Sequence, residues 1–194
     1  TRTERQDFTA SVPTFGSQGE QVRGEYIGSA TTLDGVDLIW GFDYQKDVAN
    51  NMGRKNQGAF VELLSDFSQA FFITAGLRYD DNEDFGANTS FRLSTAYLLE
   101  TKAGTLKFKA ALGSGFRAPS PFEIQYNRGP YAFPPATSSP LVQEESRGWE
   151  VGARLDAEKY HLEAIIFDQS VSNAIVFDLL GYSGYLQDVG RGVS

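Results

Sequence analysis

The sequence predicts an all-β chain: an antiparallel up-and-down sheet of the transmembrane β-barrel type, about nine strands of a larger barrel. Three observations predict it. Leu106–Arg117 alternates, with Leu106, Phe108, Ala110, Leu112 and Phe116 on one face and Lys107, Lys109, Ala111, Gly113, Gly115 and Arg117 on the other. That two-residue period recurs along most of the chain. The connections alternate between short and long, as they do where tight turns face one side of a membrane and longer loops the other.

Taken in order, a polar start and a Ser/Gly/Gln-rich stretch, Thr14–Gly19, read as loop before a loose first strand, Gln21–Leu33. Asp34-Gly35 is a tight hairpin turn. The second strand is Val36–Asp47, with Leu38, Trp40, Phe42 and Tyr44 aligned, and Val48–Lys55 reads as a polar loop. Asn56–Ser65 is the third strand, with Ala59, Val61 and Leu63 outward. Ala70–Asp80 is the fourth, with Phe71, Ile73, Ala75, Leu77 and Tyr79 on one side, followed by a loop at Asp81–Ala87. Asn88–Glu100 is the fifth, and the alternating stretch ending at Arg117 is the sixth. A Pro- and aromatic-rich segment, Ala118–Glu144, separates it from the seventh, Glu145–Asp156. A long eighth strand, Tyr160–Asp178, and the start of a ninth, Tyr185–Ser194, complete the pattern. Tyr79, Tyr97, Trp149 and Tyr160 lie near strand ends, where an interfacial girdle belongs.

Composition narrows the function. The 194 residues include no Cys, so disulfide frameworks and Cys-based metal sites are excluded. A net charge of −8 argues against a nucleic-acid partner, whose phosphates need Lys and Arg. No apolar run is long enough for a membrane helix, which leaves strands as the means of crossing. TRTERQDF has no Met, basic region or apolar stretch of a leader, so the expectation is a mature, trimmed or excised chain. An odd strand count without closure predicts a slice of a wider barrel with a polar interior. Its two open edges are expected to prevent independent folding.

Five segments then resemble the TonB-dependent outer-membrane receptors, in the C-terminal half of their barrel. FFITAGLRYDD (Phe71–Asp81) is similar to the family's strand ending in G-x-R-Y-D, and LKFKAALGSGFRAPSPFEI (Leu106–Ile124) to its strand running into F-R/K-A-P-S. LVQEESRGWEVGARL (Leu141–Leu155) resembles L-x-P-E-x-S…E-x-G, with Gln143 where the family usually has Pro. LEAIIFDQSVSNAIVF (Leu162–Phe177) and YLQDVGRGVS (Tyr185–Ser194) resemble the strands that follow, with Asp188 where Asn is usual. The resemblance, spanning Asp34 to the end, implies energised import of a scarce nutrient such as a ferric siderophore, cobalamin or haem across a Gram-negative outer membrane. It implies an N-terminal plug domain, outside this chain, that couples to a TonB–ExbB–ExbD complex, with outer-membrane lipid and lipopolysaccharide around the wall. It implies residues 1–194 as one partial barrel domain, no enzymatic activity and no resident cofactor.

Candidate ligand-binding residues lie where the sixth strand meets the long loop: Arg117, Phe122, Tyr126, Arg128, Tyr131 and Phe133. Aromatics and Arg are common recognition anchors on loops held by rigid scaffolds. Equally, Pro119 and Pro121 end the strand by backbone chemistry alone, and the loop's aromatics can pack on one another. Asp80–Asp84 supplies oxygens but lacks calcium-loop spacing, and no metal site is expected there. The inward Arg78, Arg92, Lys107, Lys109, Arg117 and Arg154 are interspersed with Glu62, Asp80, Glu150 and Asp156, which favours cross-strand ion pairs over a basic wall. His161, the only His, is expected at the short-turn rim, without partners for catalysis or haem capture. Two other readings remain: a passive porin-type channel, and a soluble β-sheet carbohydrate-binding module, since an alternating strand over a core shows the same pattern.

Overall fold

In the computed structural model, residues 2–9, 12–49, 52–187 and 192–193 are described, with side chains from 19–48 and 53–187. One antiparallel sheet of ten strands runs in chain order: β1 Arg2–Thr9, β2 Val12–Leu33, β3 Val36–Ala49, β4 Met52–Phe67, β5 Phe71–Asn82, β6 Gly86–Thr101, β7 Gly104–Arg117, β8 Glu144–Asp156 and β9 His161–Ser172. A short helix, α1 Pro121–Arg128, interrupts the β7–β8 connection. After β9, β10 Ile175–Phe177 and β11 Tyr185–Gln187 pair only with each other, and β12 Gly192–Val193 returns to β9 as the tenth strand. Among the described residues the sheet does not close.

The registers confirm the alternation. Leu38, Leu63, Ala75, Leu93, Leu112 and Trp149 oppose one another in one row across six strands. Trp40, Val61, Leu77 and Phe91 form the adjacent row, and Phe67, Phe71, Tyr97 and Phe108 one nearer the tight turns. These side chains are largely solvent-exposed, and the buried apolar side chains among the described residues are Pro119 and Ala136, both in the β7–β8 connection. A sheet whose apolar face covers no core needs an apolar medium against it. The band from Phe71 to Tyr79 on β5, and from Phe91 to Leu99 on β6, has the roughly 9–11 residues a tilted strand needs to cross a bilayer.

Several expectations are corrected at the loop end. Val48–Lys55 and Asp81–Ala87 are largely strand where described: β3 runs to Ala49 and β4 starts at Met52, while β5 runs to Asn82 and β6 starts at Gly86, leaving a turn at 83–85. The supposed loop Thr14–Gly19 is strand, because β1 pairs with residues 12–20 of β2. These polar stretches lack an apolar stripe because strands projecting beyond a bilayer have water on both faces; ladder hydrogen bonds alone shape them. The long and short connections therefore alternate clearly only after β6. The eighth strand breaks at Asn173, whose φ of 57° takes the chain out of the sheet and delivers Ile175–Phe177 to a second, smaller one. Asp188, singled out in the sequence, lies outside the described residues.

On the inner face Arg78 reaches across two strands. Its guanidinium donates to Asp43 at 2.7 and 3.1 Å and to Asp80 at 2.7 and 2.8 Å, and both carboxylates are buried. Asp80 is thus no part of a solvated loop tip. The row Asp43–Gly58–Asp80 explains the passage: the guanidinium lies over Gly58, where a Cβ would sit 2.2 Å from Arg78 Nη2. Lys109 pairs with Glu163, and Arg154 with Asp156, whereas Arg92, Lys107, Glu62 and Glu150 have no ion pair among the described residues, so ion pairing within the wall accounts for part of the inward charges. His161 Nδ1 lies 2.7 Å from Asp156 at the tight-turn rim.

Candidate functional site

The loop end carries a cap built from two connections, 118–143 and 173–187. Its first part is α1, which a capping box sets up. Ser120 Oγ accepts from the Glu123 N–H at 3.2 Å, and Glu123 Oε2 accepts from the Ser120 N–H at 2.6 Å, with Pro121 in the first turn. The sequence Ser-Pro-Phe-Glu carries that signature, which a reading focused on strand termination passes over.

The helix is held against the opposite part of the wall. Arg54, on the inner face of β4, donates to the carbonyl of the buried Pro119 and lies over the Phe85 ring at 5.8 Å. Burial lowers the Arg54 pKa from its ordinary value, against the attraction of Asp84, Asp47 and Glu123. α1 also touches β3 and β4. The loop leaving β7 therefore folds across the concave side of the sheet.

Arg117 joins the two ends of the long connection. It donates to Glu144, the first residue of β8, at 2.5 Å, and to Glu123 of α1 at 3.1 Å. Glu144 also accepts from the Ile175 N–H. The Arg117 guanidinium, then the Ile175 amide, hold the Glu144 carboxyl below its usual range despite partial burial.

Two amides stitch the connections together. Asn127 of α1 donates to the carbonyls of Tyr185 and Ala136 at 2.7 and 3.2 Å and accepts from the Tyr185 N–H at 2.8 Å. Gln187 donates to Val142 and Asn173 carbonyls and accepts from the Val142 N–H at 2.7 Å. Between them lies an aromatic cluster. Tyr126 packs edge-on against Phe177 at 5.5 Å and Tyr185 at 5.7 Å, Phe122 against Tyr185 at 6.3 Å, and Phe177 against Tyr182 at 6.3 Å. Asp178 shapes the β10–β11 turn by accepting from the Gly181 amide and the Ser183 hydroxyl, which lower its pKa.

The six candidates thus divide. Arg117, Phe122 and Tyr126 are engaged within the cap. Tyr131 and Phe133 are 73% and 49% exposed. Arg128 has no ion-pair partner among the described residues and lines a cavity of about 470 Å³ with Asp84, Phe85, Asn127, Thr137 and Leu141. Sequence reasoning missed Arg54, Asn127, Asp178 and Gln187, because their partners lie far along the chain or in irregular backbone.

Residues 1–193 match the family described as TonB dependent receptor-like, beta-barrel. The chain belongs to the TonB-dependent receptor β-barrel family. Among curated proteins, the vitamin B12 transporter BtuB of Photobacterium profundum is 30% identical over 125 residues, covering 61% of this chain and 19% of that protein. BtuB of Vibrio cholerae serotype O1 (strain M66-2) is 25% identical over 127 residues, 55% and 20% of the two chains. The chain therefore spans about a fifth of the curated relatives it matches. Solved receptors share the fold. The siderophore receptor PirA from Pseudomonas aeruginosa superposes with a TM-score of 0.70 at 20% identity, over 92% of this chain and 38% of that one. The ferric enterobactin receptor PfeA, in complex with BCV-L6, gives 0.76 at 15% identity, over 99% and 36%. The TonB-dependent receptor segment is wall and cap of a partial barrel, in a family of transporters and receptors rather than enzymes.

Proposed function

We propose that the chain supplies part of the wall and the ligand-capturing outer loops of a Gram-negative outer-membrane receptor for a scarce nutrient of the cobalamin, ferric siderophore or haem class. Uptake is energised by a TonB–ExbB–ExbD complex acting on a plug domain encoded elsewhere in the full protein. The cap carries this reading. An open channel needs no structured lid, whereas a receptor must present fixed side chains to a dilute ligand, and this cap is locked by hydrogen bonds from both connections.

Within these classes the cap's electrostatics favour an electroneutral ligand such as a corrinoid over a polyanionic ferric catecholate. Arg54 is offset by Asp47, Asp84 and Glu123, Arg117 by Glu123 and Glu144, and Lys55 pairs with Glu83. Among the described residues Arg128 is the unpaired cation beside the cavity, and Asp84 shares that cavity. The relatives named as vitamin B12 transporters point the same way. In this reading Arg128, Tyr131 and Phe133 touch the ligand, while Arg117, Phe122 and Tyr126 hold the surface that presents them.

The test is growth of a Gram-negative host lacking its own cobalamin receptor, on limiting vitamin B12, with the full-length gene supplied. The expected result is rescue that disappears when TonB is deleted. Rescue without TonB, or no uptake of vitamin B12, any ferric siderophore or haem, would overturn the proposal.

A further inference from the structure

The cavity between the cap and the β5–β6 turn holds two opposite charges that do not meet. Asp84 lines it from the turn and Arg128 from the end of α1, and both residues are exposed. Neither the carboxylate nor the guanidinium has a hydrogen bond or an ion pair among the described residues. Each charge stands on a fixed support. The buried Asn82 accepts from the Asp84 and Phe85 N–H groups at 3.1 and 3.3 Å, and the Glu83 N–H donates to the Lys55 carbonyl at 3.0 Å, which ties the turn to β4. Arg128 follows Asn127, whose amide anchors α1 to the carbonyls of Tyr185 and Ala136. Arg54 also attracts Asp84, but its guanidinium is committed to the Pro119 carbonyl and the Phe85 ring.

The rest of the lining is mixed: Phe85, Ile124 and Leu141 are apolar, and Thr137 adds a hydroxyl. An anion in this cavity is repelled by Asp84, and a cation by Arg128. A zwitterion meets both charges, but it carries two full charges onto a partly apolar lining, and each must give up its water. A primary carboxamide satisfies both sides with no net charge. Its carbonyl accepts from a guanidinium and its NH2 donates to a carboxylate, two charge-assisted hydrogen bonds from opposite ends of one small planar group.

We infer that this cavity seats a primary carboxamide arm of the ligand, with Arg128 donating to its carbonyl oxygen and Asp84 accepting from its NH2. Asp84 is then a specificity residue: it accepts the amide arm and rejects the same arm ending in a carboxylate, because a site built to receive a donor is left unpaired by a group that has none. The inference rests on the electroneutral-ligand reading proposed above and adds the chemical group by which that ligand is recognised.

The test uses the full-length receptor purified in detergent, with cyanocobalamin and its separated monocarboxylic acids as probes and binding read by calorimetry. Asp84→Asn and Arg128→Gln are compared with the parent. Their unfolding midpoints should not move, since neither charged group has a partner in the fold, and this checks that both variants are folded. One of the acids should bind the parent about tenfold more weakly than cyanocobalamin, the worth of one charge-assisted hydrogen bond. Asp84→Asn should abolish that preference, because a neutral amide at this position can donate to the acid. Arg128→Gln should weaken cyanocobalamin itself by about tenfold. Cyanocobalamin binding that every acid equals, a preference that survives Asp84→Asn, or an Arg128→Gln variant that binds like the parent overturns the carboxamide seat and leaves the receptor reading in place. A receptor that binds no cyanocobalamin but takes a ferric siderophore or haem overturns the electroneutral-ligand reading, and the seat with it.

Discussion

Replacing Gly58 with Ala should cost stability out of proportion to one methyl group. The built Cβ lies 2.2 Å from Arg78 Nη2, 2.8 Å from Arg78 Cζ and 2.8 Å from Asp43 Oδ2. Ordinary contact needs well over an ångström more, and hydrogen bonds of 2.7–3.1 Å cannot absorb that displacement. The guanidinium must leave, which strands Asp43 and Asp80, 7% and 4% exposed, without their counter-ion. Breaking a buried pair costs about 3–5 kcal/mol. Because the Arg78 side chain keeps 34% exposure, about 2–3 kcal/mol is the expected loss here. Gly76 is the control: it is also on the inner face, and its Cβ would meet nothing nearer than 3.8 Å. Gly76→Ala should be neutral or stabilising by about 0.4–1 kcal/mol, since it restricts the unfolded chain. The assay is denaturant unfolding of the full-length receptor in detergent, repeated in an Arg78→Gln background where Gly58→Ala should cost little more. Equal midpoints for the two alanine variants would refute the reasoning.

Three further outcomes follow from the cap. Asn127→Ala removes three hydrogen bonds that tie α1 to both connections, so about 2–3 kcal/mol of local stability should vanish; limited proteolysis should nick the cap faster while the wall resists. Glu144 has a depressed carboxyl pKa, so its contribution is complete above the unfolded value of about 4.3 and is lost as pH falls through the lower folded value. The near-ultraviolet circular dichroism of the cap aromatics should accordingly stay constant down to that pH and fall below it, with Glu144→Gln low throughout; a break at neutral pH would point to another group. Tyr131→Ala and Phe133→Ala should weaken nutrient binding with no change in unfolding midpoint, whereas Tyr126→Ala should lower the cap's stability by about 1–3 kcal/mol through its two edge-on ring contacts. Ligand titration and thermal unfolding, measured on the same preparations, separate the two groups.

The wall was legible in the sequence because a strand pair writes its register into a two-residue period, and lipid on one face enforces it. Phe71–Tyr79 and Leu106–Leu112 show the pattern within a few residues, and the structure pairs them as expected. Once the strand leaves the bilayer the pattern ends but the ladder does not, which is why VANNMGRK and the first residues read as loop. The cap was less legible for a different reason. Arg54 and Pro119, Asn127 and Tyr185, Val142 and Gln187 meet across long stretches of chain, and nothing local marks one as the partner of the other. The exception is α1, whose capping box and leading proline are local signals.

The same division bears on what determines the ligand. Inside the band, Arg78 and Lys109 lie along the wall instead of projecting into the lumen. Arg78 lies over Gly58 to reach Asp43, and Lys109 passes Gly152, 3.0 Å from its built Cβ, to reach Glu163 two strands away. A glycine on the intervening strand lets each cation lie flat along the wall and be neutralised there. At these two positions the wall presents little net charge to a solute. Discrimination then falls to groups that remain unpaired among the described residues, and in the cap these are Arg128, Tyr131 and Phe133, on a short stretch held at both ends by Asn127 and by the Phe133 amide on Ser183. A stretch fixed at its ends by backbone carbonyls tolerates exchange of its exposed side chains. Relatives with one wall and different nutrients should therefore differ in this stretch first, and transplanting residues 128–133 should move ligand preference while leaving the unfolding midpoint in place.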